Sequence, residues 1–258
     1  MLLSLWPASW PRKARSNATL VAAAVALVAA LWALGALLSL FPGSIGSNAA
    51  QFAQGARMTL WLTVVSGAIG LLLGLVAALA RSSRKPLPSH LAAVYIWLIR
   101  GTPLLVQILF VYFALPVLVP GLELPEFAAA VVALALNVGA YNAEAIRGAL
   151  LAVPQGQRDA AVALGMRPVQ VLAGVVLPQA LRVALPALAS NVVALLKDSS
   201  LAFAIGVVEL TNVGNRIQAV TFQPVPTLAT VACIYLLLTT LLTQFSGALE
   251  HRLERDRL

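Results

Sequence analysis

The chain has 258 residues, of which 60% are hydrophobic and only 10% charged, and its formal net charge is +8. A soluble domain carries charge on roughly a quarter of its residues, so this composition excludes an ordinary soluble protein and predicts a chain that crosses a membrane several times. The basic residues lie beside apolar segments, where the positive-inside rule accounts for them, and we therefore expect no nucleic-acid partner.

Six continuously apolar segments are each long enough for a helix that crosses a bilayer core of about 30 Å. Their polarity does not alternate as it would in barrel strands, so the sequence predicts an all-α integral membrane protein. The apolar core of a signal peptide has about 7–15 residues, and the first segment is longer than that. We interpret residues 1–50 as a cytoplasmic N-terminus followed by an extra first helix. The predicted spans cover residues 18–40, 58–80, 91–116, 124–145, 181–201 and 226–249.

Lysine and arginine positions predict the orientation of these spans. With six spans, nearly all basic residues fall on one face, the exceptions being Arg57 and Arg216. The positive-inside rule makes that face cytoplasmic, together with both termini and a tail over residues 251–258. We expect a multi-pass protein of the plasma (inner) membrane in contact with lipid. A half-apolar stretch, residues 202–223, predicts a partial helix on the outer side.

A polar island separates the fourth and fifth spans and reads QGQRDAAVALGMRPVQVLAGVVLP. Pro154 can open a short helix at its first turn, where a missing N–H is harmless. Gly165 suits a left-handed C-terminal cap, and Pro168 can then open a second helix that ends at Pro178. The sequence therefore predicts a helix, a tight turn and another helix outside the bilayer.

Small side chains on the first of these helices favour close approach by a partner. Ala160, Ala161 and Leu164 predict a compact apolar face, and a helix seated in a groove is a common mode of recognition. The alternative is an ordinary helical hairpin without a partner.

The spacing of the island carries a family resemblance. Asp159-Ala160-Ala161, then Gly165, then Val175, Leu177 and Pro178, resembles the cytoplasmic loop of type I ABC importer permeases, written Glu-Ala-Ala, three residues, Gly, nine residues, Ile, any residue, Leu-Pro. Asp159 and Val175 depart from that pattern conservatively. The resemblance implies a type I ABC importer permease fold over residues 51–250, with a coupling loop at about 148–180. It implies ATPase-coupling roles for Asp159, Ala160, Ala161, Leu164, Gly165, Met166 and Arg167.

Three further stretches are similar to permeases for polar amino acids, the histidine, glutamine, glutamate and arginine group. They are RGTPLLVQ at 100–107, GAYNAEAIRG at 139–148 and KDSSLA at 197–202. The resemblance implies an ABC ATPase dimer, a second permease subunit that is identical or paralogous, and an external substrate-binding protein as partners. The chain has no G-x-x-x-x-G-K-[ST] loop, so we expect ATP and Mg on the partner ATPase, and no cofactor or catalytic residue here.

Polar groups inside the spans predict the substrate pathway, because ionisable groups in a membrane usually face a cavity, a partner or water. Arg100 or Lys197 could bind the carboxylate of an amino acid, and Glu144 or Asp198 its ammonium group. Gly101 and Pro103 can interrupt the third span and free backbone groups to line a cavity. Each ionisable group has a structural alternative, such as a bond from Glu144 to Arg147. The candidates are Arg100, Gln107, Asn137, Asn142, Glu144, Lys197 and Asp198.

The sequence is also compatible with other functions. The same machine could carry an opine, methionine or a modified amino acid. An ion-coupled secondary transporter would need no ATPase, and the loop spacing argues against it. An intramembrane enzyme has no support, since the sequence lacks paired carboxylates or a serine–histidine set, and the single Cys233 gives no metal-ligand spacing.

Overall fold

The computed structural model describes residues 12–83 and 85–254, with side chains described for most of residues 18–248. Within these residues the chain is almost wholly helical and contains no β-strand, which confirms the all-α prediction. We number the helices in chain order. They are α1 Arg12–Ser39, α2 Ser44–Ser47, α3 Ala49–Arg81, α4 Pro86–Gly101, α5 Leu104–Leu118, α6 Glu126–Ala152, α7 Gln155–Ala163, α8 Pro168–Ile205, α9 Leu210–Thr221 and α10 Pro224–Glu254.

Four helices in the described part of the chain are long and apolar enough to cross a membrane: α3, α6, α8 and α10. The pair α4 and α5 is also apolar and long enough when taken together, but it is bent by 110°, so it gives a fifth candidate span when the two helices are counted as one. The predicted first span, residues 18–40, falls on α1, where the apolar run found is the shorter Ala24–Ser39 and several side chains lie outside those described. Five of the six predicted spans therefore have a counterpart by length and composition.

The bend between α4 and α5 lies where the sequence predicted an interruption. Thr102 is extended, with φ −120° and ψ 147°, and Pro103 caps α5. A proline disfavours helical geometry in the residue before it and cannot donate the N–H that would continue the helix. The third span is therefore two helices with an irregular elbow between them.

The fifth span corrects one prediction. The helix that begins at Pro168 does not end at Pro178 but continues to Ile205, so the predicted span over residues 181–201 is part of one longer helix. A wider π-helical turn, Val171–Val176, precedes Pro178. This turn moves the carbonyl that the proline ring would otherwise meet, so the helix can pass through the proline. A similar turn, Phe110–Ala114, precedes Pro116 in α5.

Close packing of α3 against α6 forms the centre of the bundle. A side chain at Gly70 would collide with Val138, and one at Gly74 would put its Cβ 2.5 Å from the Cβ of Asn142. Glycines four residues apart let helix backbones approach closely in membrane proteins. This contact fixes α6 at the middle of the fold, with α7 at one end, the loop end, and α9 at the other, the far end.

At the far end, α9 occupies the stretch in which a partial helix was predicted. The buried carboxylate of Glu209 caps it by accepting the backbone N–H groups of Thr211 at 2.8 Å and Asn212 at 2.7 Å. The hydroxyl of Tyr235, on α10, donates to the same carboxylate at 2.9 Å. Burial raises the pKa of Glu209 in spite of these bonds, which lower it.

Candidate substrate cavity and coupling loop

A cavity of about 460 Å³ lies beside the elbow between α4 and α5. Its other walls come from the middle of α6 and from the part of α8 that precedes its last turns. Three spans therefore contribute side chains to one space, as expected when a helix break exposes polar backbone to a cavity. The lining residues are Thr102, Pro103, Leu104, Asn137, Val138, Tyr141, Asn191, Ala194, Leu195 and Asp198.

The polar lining carries one carboxyl group, that of Asp198. The other polar side chains are neutral: the amides of Asn137 and Asn191 and the hydroxyls of Thr102 and Tyr141. A carboxylate can accept hydrogen bonds from an ammonium group, whereas amides both donate and accept. The wall can therefore hold a small molecule that carries a cation and further polar groups.

The first turn of α5 adds hydrogen-bond donors. Pro103 and Leu104, which begin this helix, both line the cavity. The first N–H groups of a helix have no partner within it, and its N-terminus carries partial positive charge. This end of the cavity is therefore suited to a negatively charged group such as a carboxylate.

Gln107 does not line the cavity but holds the elbow together. Its Nε2 donates to the carbonyl oxygens of Ile99 at 2.7 Å and Thr102 at 3.0 Å, and to the Oγ1 of Thr102 at 2.9 Å. Its Oε1 accepts from the Nδ2 of Asn137 at 3.1 Å. Gln107 thus satisfies the carbonyls freed by the break and orients an amide of the wall.

Asn142, which is buried on α6, also orients an amide of the cavity wall. Its Oδ1 accepts from the Nδ2 of Asn191 at 2.9 Å, which joins α6 to α8. With its nitrogen engaged, Asn191 keeps its amide oxygen available as an acceptor. Asn142 is therefore placed to orient the wall, while Asn191 belongs to it.

Arg100 and Glu144 lie next to the cavity in a cluster of charges. Glu144 accepts two hydrogen bonds from Arg147, at 3.1 and 2.8 Å, as the structural alternative predicted. The Nη1 of Arg100 lies 4.0 Å from the Glu144 carboxylate, and its guanidinium lies 5.2 Å from the ring centre of Tyr141. Arg100 therefore contacts a residue of the cavity wall, Tyr141. The carboxylate of Glu144 is paired with two arginines and lies outside the lining.

Lys197 and Asp198 are adjacent in the chain but differ in position. Asp198 lines the cavity, whereas Lys197 is exposed and does not belong to the lining. Successive residues of a helix are about 100° apart, so both cannot point to the same space. Among the seven pathway candidates, Asn137 and Asp198 reach the cavity directly.

Three polar lining residues were absent from the predicted site: Thr102, Tyr141 and Asn191. Thr102 and Tyr141 lie inside two of the stretches that carry the family resemblance. Asn191 is an amide within an apolar span, and that was a usable signal because such groups face the protein interior or water. These three residues lie in different spans. Grouping them requires the rotation of each helix relative to its neighbours, which the sequence does not show.

The coupling loop has the predicted helix and turn. Gly165 is left-handed, with φ +77°, and no atom lies within 4 Å of the position that a Cβ would occupy. Asp159 accepts a hydrogen bond from the side chain of Gln155 at 2.9 Å. Arg167 is exposed and begins the second helix, its backbone N–H donating to Gln170 at 2.8 Å, while Met166 packs against the core at the loop end.

The apolar face predicted for this helix is only partly exposed. Ala161 is 4% exposed and packs into the core of its own chain, whereas Ala160 is exposed and Leu164 is 83% exposed. Residues four apart on a helix share a face, and a neighbour lies about 100° away. The surface open to a partner therefore contains Ala160 and Leu164 without Ala161.

Comparisons with known proteins agree with these features. Residues 70–255 match the family described as binding-protein-dependent transport system inner membrane component. The chain is 43% identical over 201 residues to the glutamine transport system permease protein GlnP of Escherichia coli strain K12, over 78% of this chain and 92% of that protein. It is 39% identical over 202 residues to the L-cystine transport system permease protein TcyB of Bacillus subtilis strain 168, over 78% and 86% of the two chains.

A solved structure also matches. It is described as the crystal structure of an amino acid ABC transporter with histidines, and it aligns with a TM-score of 0.74 and 38% identity. The alignment covers 80% of this chain and 95% of the other. The fold is that of a type I ABC importer permease, and the chain belongs to the family of inner-membrane components of binding-protein-dependent transport systems.

Proposed function

We propose that this chain forms the translocation path for polar amino acids in an ATP-driven importer. The observation that carries the proposal is the cavity at the elbow, with Asp198 on one wall and the N-terminal turn of α5 on another. The relatives support the same substrate class, since two of them are named as transport permeases for glutamine and L-cystine.

The chemistry of the cavity is complementary to an amino-acid zwitterion. Asp198 accepts from the α-ammonium group, and the free N–H groups at the start of α5 donate to the α-carboxylate. Arg100, which lies over Tyr141, adds positive charge on the carboxylate side. The amides of Asn137 and Asn191 are then available to a polar side chain.

The importer requires partners that the chain cannot replace. Its sequence lacks a phosphate-binding loop, so a dimer of ABC ATPases carries ATP and Mg and seats on the coupling loop. The residues proposed for that contact are Asp159, Ala160, Ala161, Leu164, Gly165, Met166 and Arg167.

A second permease and a substrate-binding protein complete the assembly that we propose. Thr102, Pro103 and Tyr141 are exposed on this chain, so its cavity is open on that side, where a second permease, identical or paralogous, closes it. The loop end is cytoplasmic because arginines cluster there, and the binding protein delivers substrate at the far end. Mass spectrometry of proteins that co-purify with the tagged chain identifies both partners and distinguishes a homodimer from a heterodimer.

Uptake into vesicles that contain the purified importer tests the proposal. Asp198→Asn keeps the size of the side chain but removes the acceptor charge, so ATP-driven uptake of a preferred polar amino acid should fall by at least roughly tenfold, as for a lost hydrogen bond to a charged group. Glu123→Gln, at an exposed position outside the cavity, is the matched control.

The substrate panel in that assay distinguishes the alternatives. It includes glutamine, arginine, histidine, cystine, methionine and octopine. Faster uptake of methionine or octopine than of every polar amino acid would replace the proposed substrate class. Uptake that follows an ion gradient and ignores ATP would contradict the ATP-driven mechanism.

A further inference from the structure

Arg158 lies on α7 and makes a contact that neither the loop pattern nor the cavity accounts for. Its Nη2 donates to the backbone carbonyl oxygen of Leu150, near the end of α6, at 2.6 Å. Leu150 is buried, and its carbonyl is one of the last four of α6, which have no intrahelical donor. The helical donor for that carbonyl would be residue 154, which is proline and has no N–H. Arg158 therefore supplies a bond that the backbone cannot make.

The positive charge of Arg158 also lies at the C-terminal end of α6. The C-terminus of a helix carries partial negative charge, so a guanidinium at this position is favourable. Neither of the two ion pairs found in the described part of the chain includes Arg158, and its Nε is buried without a hydrogen-bond partner. The side chain is thus held in place mainly by one carbonyl group rather than by a neighbouring carboxylate.

This contact joins the coupling helix directly to the helix that carries one wall of the cavity. Between α6 and α7 the chain has only Val153 and Pro154, both in extended geometry. Val153 and Ala161 pack in the same core at the loop end, and the Arg158–Leu150 bond adds a directional contact across this short link. Farther along α6 are Asn137 and Tyr141, which line the cavity.

We propose that Arg158 is a positioning residue that makes α7 and α6 move as one body, so that movement of the coupling loop reaches the cavity wall. This inference rests on the proposed ATP-driven function. Without the bond, only the packing of Val153 and Ala161 joins α7 to α6, so α7 can shift relative to α6 while it stays bound to the ATPase, and less of the movement driven by ATP reaches α6. A residue that only capped α6 would stabilise the fold and leave the coupling ratio unchanged.

The test measures substrate taken up per ATP hydrolysed in vesicles that contain the complete importer. Arg158→Gln should retain the ATPase on purification and hydrolyse ATP, but its uptake per ATP should fall by roughly tenfold, the factor that corresponds to about 1.4 kcal/mol. Arg158→Lys should recover much of the coupling because an ammonium group can still donate to the carbonyl. Arg81→Gln is the matched control, since it removes another cation at the loop end whose bond is to Ser89.

The melting temperature in detergent separates coupling from capping. An Arg158→Gln variant that melts earlier but keeps the uptake per ATP of the wild type would have lost only a cap of α6. That result would overturn the proposal, and so would normal uptake per ATP at an unchanged melting temperature. Loss of the bound ATPase in Arg158→Gln would assign the side chain to docking and would also overturn it. Absence of ATP-driven uptake in the wild type would refute the proposed function instead.

Discussion

The contact between α3 and α6 gives a quantitative prediction for Gly74→Ala. The new methyl carbon would lie 2.5 Å from the Cβ of Asn142, 3.0 Å from the carbonyl oxygen of Gly139 and 3.2 Å from the nitrogen of Ala143. Ordinary van der Waals contact begins near 3.4 Å, and two of these neighbours are backbone atoms that cannot turn away. The helices must therefore separate by up to about 1 Å.

Separation on this scale has a definite energetic cost. Overpacking a well-packed contact by one methyl group costs about 1–3 kcal/mol. The higher helix propensity of alanine offsets about 1 kcal/mol of this cost, and we therefore expect a net loss of up to about 2 kcal/mol. The shift also moves Asn142, which holds Asn191 in position on the cavity wall, so uptake should decline along with stability.

Unfolding of the purified chain in mixed micelles, followed by helical circular dichroism as the SDS fraction increases, measures this loss. Gly148→Ala is the matched control because Gly148 is also helical but has no atom within 4 Å of the added Cβ. The control should unfold like the wild type or slightly later. If Gly74→Ala unfolded at the same SDS fraction as Gly148→Ala, the close approach of α3 and α6 would be refuted.

Three other predictions concern the charge cluster, the coupling turn and the buried carboxylate. Glu144→Gln breaks a partly exposed pair with Arg147, so stability should change by less than about 1 kcal/mol. The change also removes the carboxylate 4.0 Å from Arg100, which lies over the cavity residue Tyr141, so uptake rates across an amino-acid panel should change; identical kinetics would exclude the Glu144–Arg100 pair from the pathway. Gly165→Trp should lower ATP-driven uptake or ATPase binding, and Gly165→Asn, which tolerates left-handed geometry, should retain both; normal uptake in the tryptophan variant would exclude the turn from coupling. Burial raises the pKa of Glu209 in the folded chain, so the folded state binds the proton more tightly than the unfolded state, and the contribution of this group to stability is lost as the pH rises through the raised pKa. The melting temperature in detergent should therefore fall less in Glu209→Gln than in the wild type as the pH rises above about 4, the ordinary pKa of glutamate, and parallel curves would contradict this account.

The features that could be predicted best from the sequence depend on local backbone chemistry. The left-handed Gly165 and the break before Pro103 follow from the conformational limits of glycine and proline, which act within one or two residues. The family resemblance is confirmed because it rests on spacing, which a single sequence displays in full.

The features that sequence did not predict depend on contacts between distant segments. Proline rules indicated a helix end at Pro178, yet a wider turn just before it allows the helix to continue. Tyr141 and Asn191 line the same cavity only because α6 and α8 pack in one particular register. The burial of Ala161 likewise depends on which side of α7 packs against the core.

The unbroken course of α8 has a consequence for how this protein can change. The turn at Gly165 leads into the helix that carries the cavity residues Asn191 and Asp198, and Asp198 lies thirty residues after Pro168, roughly 45 Å along the axis. Deleting or inserting one residue between them would rotate Asp198 by about 100° relative to the turn. Substitutions can therefore accumulate independently at the two ends, but changes of length cannot, and a chimera that exchanges the loop must preserve the number of residues in this interval.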